Sequence, residues 1–436
     1  MKQPYVTIFT TWVSLMIAFT MSTDFVFAQD IPIIDKKIEK QLDKLMKDTT
    51  IKSAFSHIDR LEEETMKTLI ELTEIEAPPF KEADRGAAFK KMFEEAGADE
   101  VWVDEVGNVI AVAKGTEGGK IVALDAHLDT VFPEGTTVMV QRKGDTLYAP
   151  GIGDDTRGLA MVLAVFKAMK RQQIKTKADV WFVGSVGEEG LGDLRGVKHL
   201  FREGAPNIDA WISIDGGEIG RVNNAGLGST RYKAVFTGKG GHSWGAFGLA
   251  NPHHALGYAI AEFTENAKKY TNEGPKTSFN IGRIGGGTSV NSIPFESWME
   301  VDMRSVDKNR LVAIDSIFKS SMQTALNRYN ATGVDDEIAL ELVKIGNRPS
   351  GELSTDTPLV QRAMGITQMF GYEPSLTRGS TNSNIPISMG IPAVTIGRGG
   401  IGGGAHSLDE WWLNKDGAAA IKLAFILTVA EAGFSK

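Results

Sequence analysis

Residues 121–130 read IVALDAHLDT, a run of strand-forming residues that delivers His127 and Asp129 at its end. Two apart on a strand, they face the same way. An imidazole turned to a ligand with a carboxylate beside it is the pairing a metal site needs, because the carboxylate fixes the ring's tautomer and raises its basicity. From His-x-Asp alone, a strand-end histidine that merely caps a loop is the alternative. Four further stretches carry groups of the same kind. Residues 149–158 form a glycine-rich turn into an apolar helix, and its adjacent acids Asp154 and Asp155 are ligands or an N-cap; the cap accounts for one, not both. The strand-like 180–183 runs into Gly187-Glu188-Glu189-Gly190. Paired carboxylates off a buried strand end are costly unless a cation or proton compensates, although two solvated loop charges would look the same. The strand-like 211–214 ends in Asp215, and His406 follows a glycine-rich loop. Together His127, Asp155, Glu189, Asp215 and His406 are two imidazoles and three carboxylates at loop or strand-end positions of one sheet. That set suits two divalent ions sharing a carboxylate, zinc ahead of calcium because nitrogen ligands are present, with cobalt or manganese also able to bind.

To bring these groups together the chain needs an α/β frame. Residues 33–46 and 51–74 are helix-periodic, the second stopped by Pro78-Pro79, and 85–96 repeat the amphipathic pattern. Strand-like 101–103, 109–112 and the central run follow, so helices and strands alternate as in a doubly wound sheet. In such a sheet ligands bind at the carboxyl ends of the strands. From about Val222 the order becomes strand 232–236, helix 252–268, strands 277–284 and 296–304, helix 308–329 and strand 338–345. That is β-α-β-β-α-β, the ferredoxin-like split order. The expected division is a catalytic domain at 29–221 and 347–436, with an inserted α+β domain at 222–346. His57, His199, His253 and His254 sit on helical stretches without acidic neighbours of motif type, which favours solvated or core roles.

The chain has 436 residues, too many for one simple core, and a net charge of -8 that speaks against nucleic acid or an anionic membrane as partner. Residues 1–28 carry Lys2, an apolar segment over 8–21 and then Val26-Phe27-Ala28, the pattern of a secretory signal peptide cut before Gln29. With no cysteine there is no lipid-anchor residue and no disulfide framework, so a periplasmic or secreted location without a lasting membrane anchor is expected.

In this ordered set the chain resembles the M20 family of zinc metallopeptidases, the family of carboxypeptidase G2, peptidase T and the succinyl-diaminopimelate desuccinylase. The resemblance covers nearly everything after the signal segment. It implies that His127 is a ligand and Asp129 its catalytic support, that Asp155 bridges two zinc ions with Arg157 in place of the usual Lys, and that Asp215 and His406 complete the ligands. Of the Glu-Glu pair it makes Glu188 the general base and Glu189 a ligand. The insertion resembles the family's lid or dimerisation domain. His242 in Gly240-Gly241-His242-Ser243 matches the histidine that reaches substrate across a homodimer, and Asn291, Arg304 and Arg378 match substrate contacts. Asn382 stands where many members carry Asp, which would alter the polar group a substrate must offer. The implied activity is hydrolysis of a peptide bond in small peptides. An N-acyl amino acid deacylase using the same atoms is the alternative, and a non-catalytic metal-dependent peptide-binding protein is disfavoured by Glu188, a base that mere binding does not need.

Overall fold

The computed structural model describes residues 34–435; the expected signal segment, residues 1–28, lies outside them. Among the described residues no helix is long and apolar enough to cross a membrane. The apolar runs pair into one nine-stranded sheet: β1 (Glu100–Val103), β2 (Val109–Ala113), β3 (Ile121–His127), β4 (Asp179–Ser185), β5 (Ala210–Ile214), β6 (Arg221–Gly226), β7 (Gly351–Glu352), β8 (Ser375–Gly379) and β9 (Ala393–Ile396). Their order is β1-β2-β4-β3-β5-β9-β6-β7, with β8 also on β6. The centre, β4-β3-β5-β9, is parallel, and antiparallel strands flank it. Parallel strands are covered on both faces, which is why β3 and β5 are buried almost from end to end and do not alternate between buried and exposed residues.

Helix Gly417–Ala432 is buried almost all round, as its lack of a polar face requires, and helix Thr156–Arg171 is buried up to its last turn, where Lys170 and Arg171 are exposed. Phe89, Phe93, Phe166 and Phe182 meet edge to face, with centroids 4.8, 5.2 and 5.3 Å apart along that series. This ladder ties helix Ala83–Glu95 and helix Thr156–Arg171 to β4.

The insertion is a four-stranded antiparallel sheet of Gly228–Thr237, Thr277–Gly286, Glu296–Ser305 and Ala339–Arg348, with the first strand between the third and the fourth. Helices Pro252–Thr271 and Lys308–Asn330 pack on it around Phe236, Phe263, Met299 and Phe318, in the expected split order. Strand pairing sets its edges at 228 and 348, wider at the far end than the expected 222–346. The difference at the near end is β6, which starts at Arg221 but pairs with β7, β8 and β9 in the large sheet.

Candidate active site

Three neighbouring parallel strands deliver the first groups. His127 ends β3 opposite Ser185 of β4, Glu188 and Glu189 follow β4 after a turn, and Asp215 follows β5. The remaining groups come from a small sheet in which Ile401–Gly403, Trp411–Leu413, Thr146–Tyr148 and Gln141–Lys143 pair in that order. Its pairing sets the loop carrying His406 beside the turn 149–155. Glu410 then fastens the two: its buried carboxylate accepts the N–H groups of Gly151 at 2.7 Å, Gly153 at 2.9 Å and Asp154 at 3.0 Å.

The turn so held points Asp154 into the site. Its Oδ1 lies 3.1 Å from His127 Nε2 and its Oδ2 lies 3.4 Å from His406 Nε2, while Glu189 Oε1 lies 2.9 Å from the same His406 nitrogen. His127, Asp154 and Glu189 offer ligand atoms all within 4.8 Å of one another, a candidate metal site. Asp155, the expected bridging residue, does not enter this group. Its Oδ2 accepts the backbone N–H of His127 at 3.2 Å and its Oδ1, buried, has no hydrogen-bond partner. It sits against the first turn of helix Thr156–Arg171, where a Cβ on Gly158 would come within 2.3 Å of Asp155 Oδ1, so only glycine fits there. The correction is by one residue: a turn exposes one of two adjacent acids to the site and turns the other to the backbone. Arg157 points away, stacking on Trp412 at 4.7 Å with Glu62 at 3.7 Å, a planar contact that suits guanidinium and not ammonium.

The cluster attracts positive charge. Burial opposes charge on His127, yet the neighbouring carboxylates of Asp129 and Asp154 carry its pKa well above the usual imidazole value. Hydrogen bonds to Asp154 and Glu189 push His406 up to about 10. Burial, reinforced by neighbouring carboxylates, raises Asp155 and Asp215, and burial likewise raises Glu188 against the pull of Arg348. Carboxylates crowded in low dielectric with two imidazoles among them fit a divalent cation better than protons do. His406 adopts φ 66°, a left-handed conformation that a non-glycine residue holds only where the surroundings enforce it.

His127 Nδ1 lies 2.9 Å from the backbone carbonyl of Asp129, so Nδ1 carries the proton and Nε2 is left to bind. The Asp129 carboxylate, 3.7 Å from Nδ1, instead accepts the N–H groups of Glu188 at 2.9 Å and Glu189 at 2.7 Å. It thus supports the loop more than the ring. Glu188 is buried and paired with Arg348 at 3.0 Å.

Of the expected substrate contacts, His242 is exposed on its glycine-rich turn, paired opposite Ser292, and its Nδ1 accepts N–H groups from Trp244 at 3.2 Å and Gly245 at 3.3 Å. Asn291 lies beside it, its carbonyl accepting from Ser243. Arg304 bonds Asp302 at 2.7 Å and Arg378 bonds Glu352 at 2.8 Å. Asn382 is corrected: it is 2% exposed and donates through Nδ2 to Asp125 at 2.9 Å and Ser185 at 2.7 Å, beneath the site and out of a substrate's reach. The sequence offers Asp154 as a candidate but ranks Asp155 ahead of it, and gives no sign of Glu410 or Arg348: Glu410 lies close after His406, whereas Arg348 stands in no motif.

Residues 123–427 match the sequence profile of peptidase family M20/M25/M40. The chain is 24% identical over 306 residues to carboxypeptidase G2 of Pseudomonas sp. (strain RS-16), spanning 68% of this chain and 70% of that one. Its fold is similar to that of aminopeptidase PepT from Bacillus cereus ATCC 10987, with TM-score 0.65 and 22% identity over 85% of this chain and 98% of that one. It is also similar to the Bacillus subtilis YXEP protein, a dinuclear metal binding peptidase, with TM-score 0.60 and 18% identity over 87% and 98% of the two chains.

Proposed function

The chain belongs to peptidase family M20/M25/M40 and is a hydrolase of amide bonds, and from that premise we propose that it cleaves small peptides with two zinc ions as cofactors. The observation that supports this reading is Asp154, whose two oxygens face two different imidazoles, as a carboxylate shared by two ions would. His127 and Asp215 would hold one ion and Glu189 and His406 the other, with Asp154 common to both. Bound there, the ions supply polarisation of the scissile carbonyl and a water whose pKa falls toward ~7.

The rest of the chemistry belongs to the chain's own groups. Glu188 takes a proton from the attacking water and returns it to the departing amine. Asp129 holds the backbone of Glu188 and Glu189, so the base and the ligand move as one. On His242 the Nδ1 side accepts hydrogen bonds, which leaves the proton on Nε2, and that N–H can meet the oxyanion of the tetrahedral intermediate. In this reading the active form is a homodimer joined through the insertion, and each His242 serves the partner's site.

The test is a panel of dipeptides, tripeptides and N-acetyl amino acids, assayed with and without a chelator. Peptide hydrolysis that is lost on chelation and restored by Zn2+ is the expected result. Turnover of N-acyl amino acids alone would make it a deacylase. Metal-loaded protein inert toward every amide would leave a binding protein and end the hydrolytic reading.

A further inference from the structure

The loop that carries Glu188 and Glu189 is held from two sides. On the sheet side the Asp129 carboxylate accepts its two N–H groups. On the other side the root of the insertion grips three points in succession. Arg348, the last residue of strand Ala339–Arg348, donates from Nη1 to Glu188 Oε1 at 3.0 Å and to Ser380 Oγ at 3.0 Å, and from Nη2 to the Glu188 carbonyl. Arg231, on the neighbouring strand Gly228–Thr237, donates from Nη1 to the carbonyl of Gly190 at 2.8 Å. The N–H of Asn347 reaches both oxygens of Asp193, at 2.9 and 3.0 Å. Gly346 lies between two of these grips: a Cβ there would come within 3.0 Å of Arg231 Cδ and 3.3 Å of Asp193 Oδ1. The two strands slip register at Arg231/Tyr232, a bulge that re-aims side chains at this corner.

We propose that the insertion root positions the general base, with Arg348 as the positioning residue and Arg231 and Asn347 as its auxiliaries. This rests on the reading of Glu188 as base. The guanidinium engages Oε1 and fixes the carboxylate's direction, and Oε2 is the oxygen that handles the proton. Because residues 188, 190 and 193 are tied to 348, 231 and 347, a rotation of the insertion about its two connections to the large sheet moves the base as well as His242. Domain closure would then bring the oxyanion donor and aim the base in one motion.

The experiment compares wild type with Arg348→Met, Arg348→Lys and Arg231→Met in the full-length, metal-loaded protein. Bound metal should be unchanged in all. In Arg348→Met, kcat should fall about 10²-fold, the size of effect that an ångström of misplacement produces, while KM stays near wild type. Arg348→Lys should recover part of the loss. Hydrogen exchange of the amides in residues 187–194, measured without substrate, should speed up in Arg348→Met and in Arg231→Met. If wild type hydrolyses no amide, the functional reading fails, yet the exchange measurement still decides the grip. Should Arg348→Met fail to fold, Arg231→Met and Asp193→Asn decide it by the same exchange. Wild-type kcat in Arg348→Met, or unchanged exchange over 187–194, would overturn the proposal.

Discussion

Adjacent acids in one turn have unlike fates at this site. Asp154 faces two imidazoles while Asp155 accepts a backbone N–H and touches the start of a helix. Asp154→Asn should therefore strip most bound metal, whereas Asp155→Asn, whose amide oxygen can still accept the His127 N–H, should keep it. Metal content by mass spectrometry decides: full loading of the Asp154 variant would remove it from the ligand set. His127, Glu189 and Asp215 stand out as candidates in the sequence because polar residues at or just beyond the ends of apolar strands have few reasons to be there, and His406 because it follows a glycine-rich loop. The choice between 154 and 155 is not legible there. It depends on how the turn is hung, and the residue that hangs it, Glu410, is 259 positions from Gly151.

Among elements, β3 carries a second message. Asp125 is fully buried two positions before His127, its carboxylate accepting from Ser185 at 2.6 Å, Ser213 at 3.1 Å and Asn382 at 2.9 Å. Asn382, read from sequence as a specificity residue, is the amide donor that makes this carboxylate tolerable. Asn382→Asp would set two carboxylates face to face in low dielectric, at a cost of at least about 3 kcal/mol. Denaturant unfolding should show that loss, and adding Asp125→Asn should restore most of it; an Asn382→Asp protein as stable as wild type would refute the account. Long helices and strands were readable because their periodicity is sustained over many residues. Three-residue strands such as Thr146–Tyr148 and Trp411–Leu413 have no period to read, although they set His406 and Asp154 side by side.

At the scale of the molecule, the exposed turn around His242 bears Trp244 at 88% and Phe247 at 89% exposure, apolar surface that a partner subunit would cover. Mixing Glu188→Gln with His242→Ala protein under subunit exchange should return about a quarter of wild-type activity, since half the dimers are hybrids with one intact site of two. Exchange without any recovery, or an active monomer, would exclude sharing. The insertion also bears on how the chain comes together. It leaves and rejoins the large sheet at one registered pair, Ser229 opposite Arg348. Once folded, it presents the two halves of the sheet to each other as a tight turn would, although about 120 residues separate them. By loop-closure entropy that shortcut is worth about 3 kcal/mol to the host. A lesion in the insertion's own core thus weakens the large sheet it never touches, through the length of chain that must be gathered.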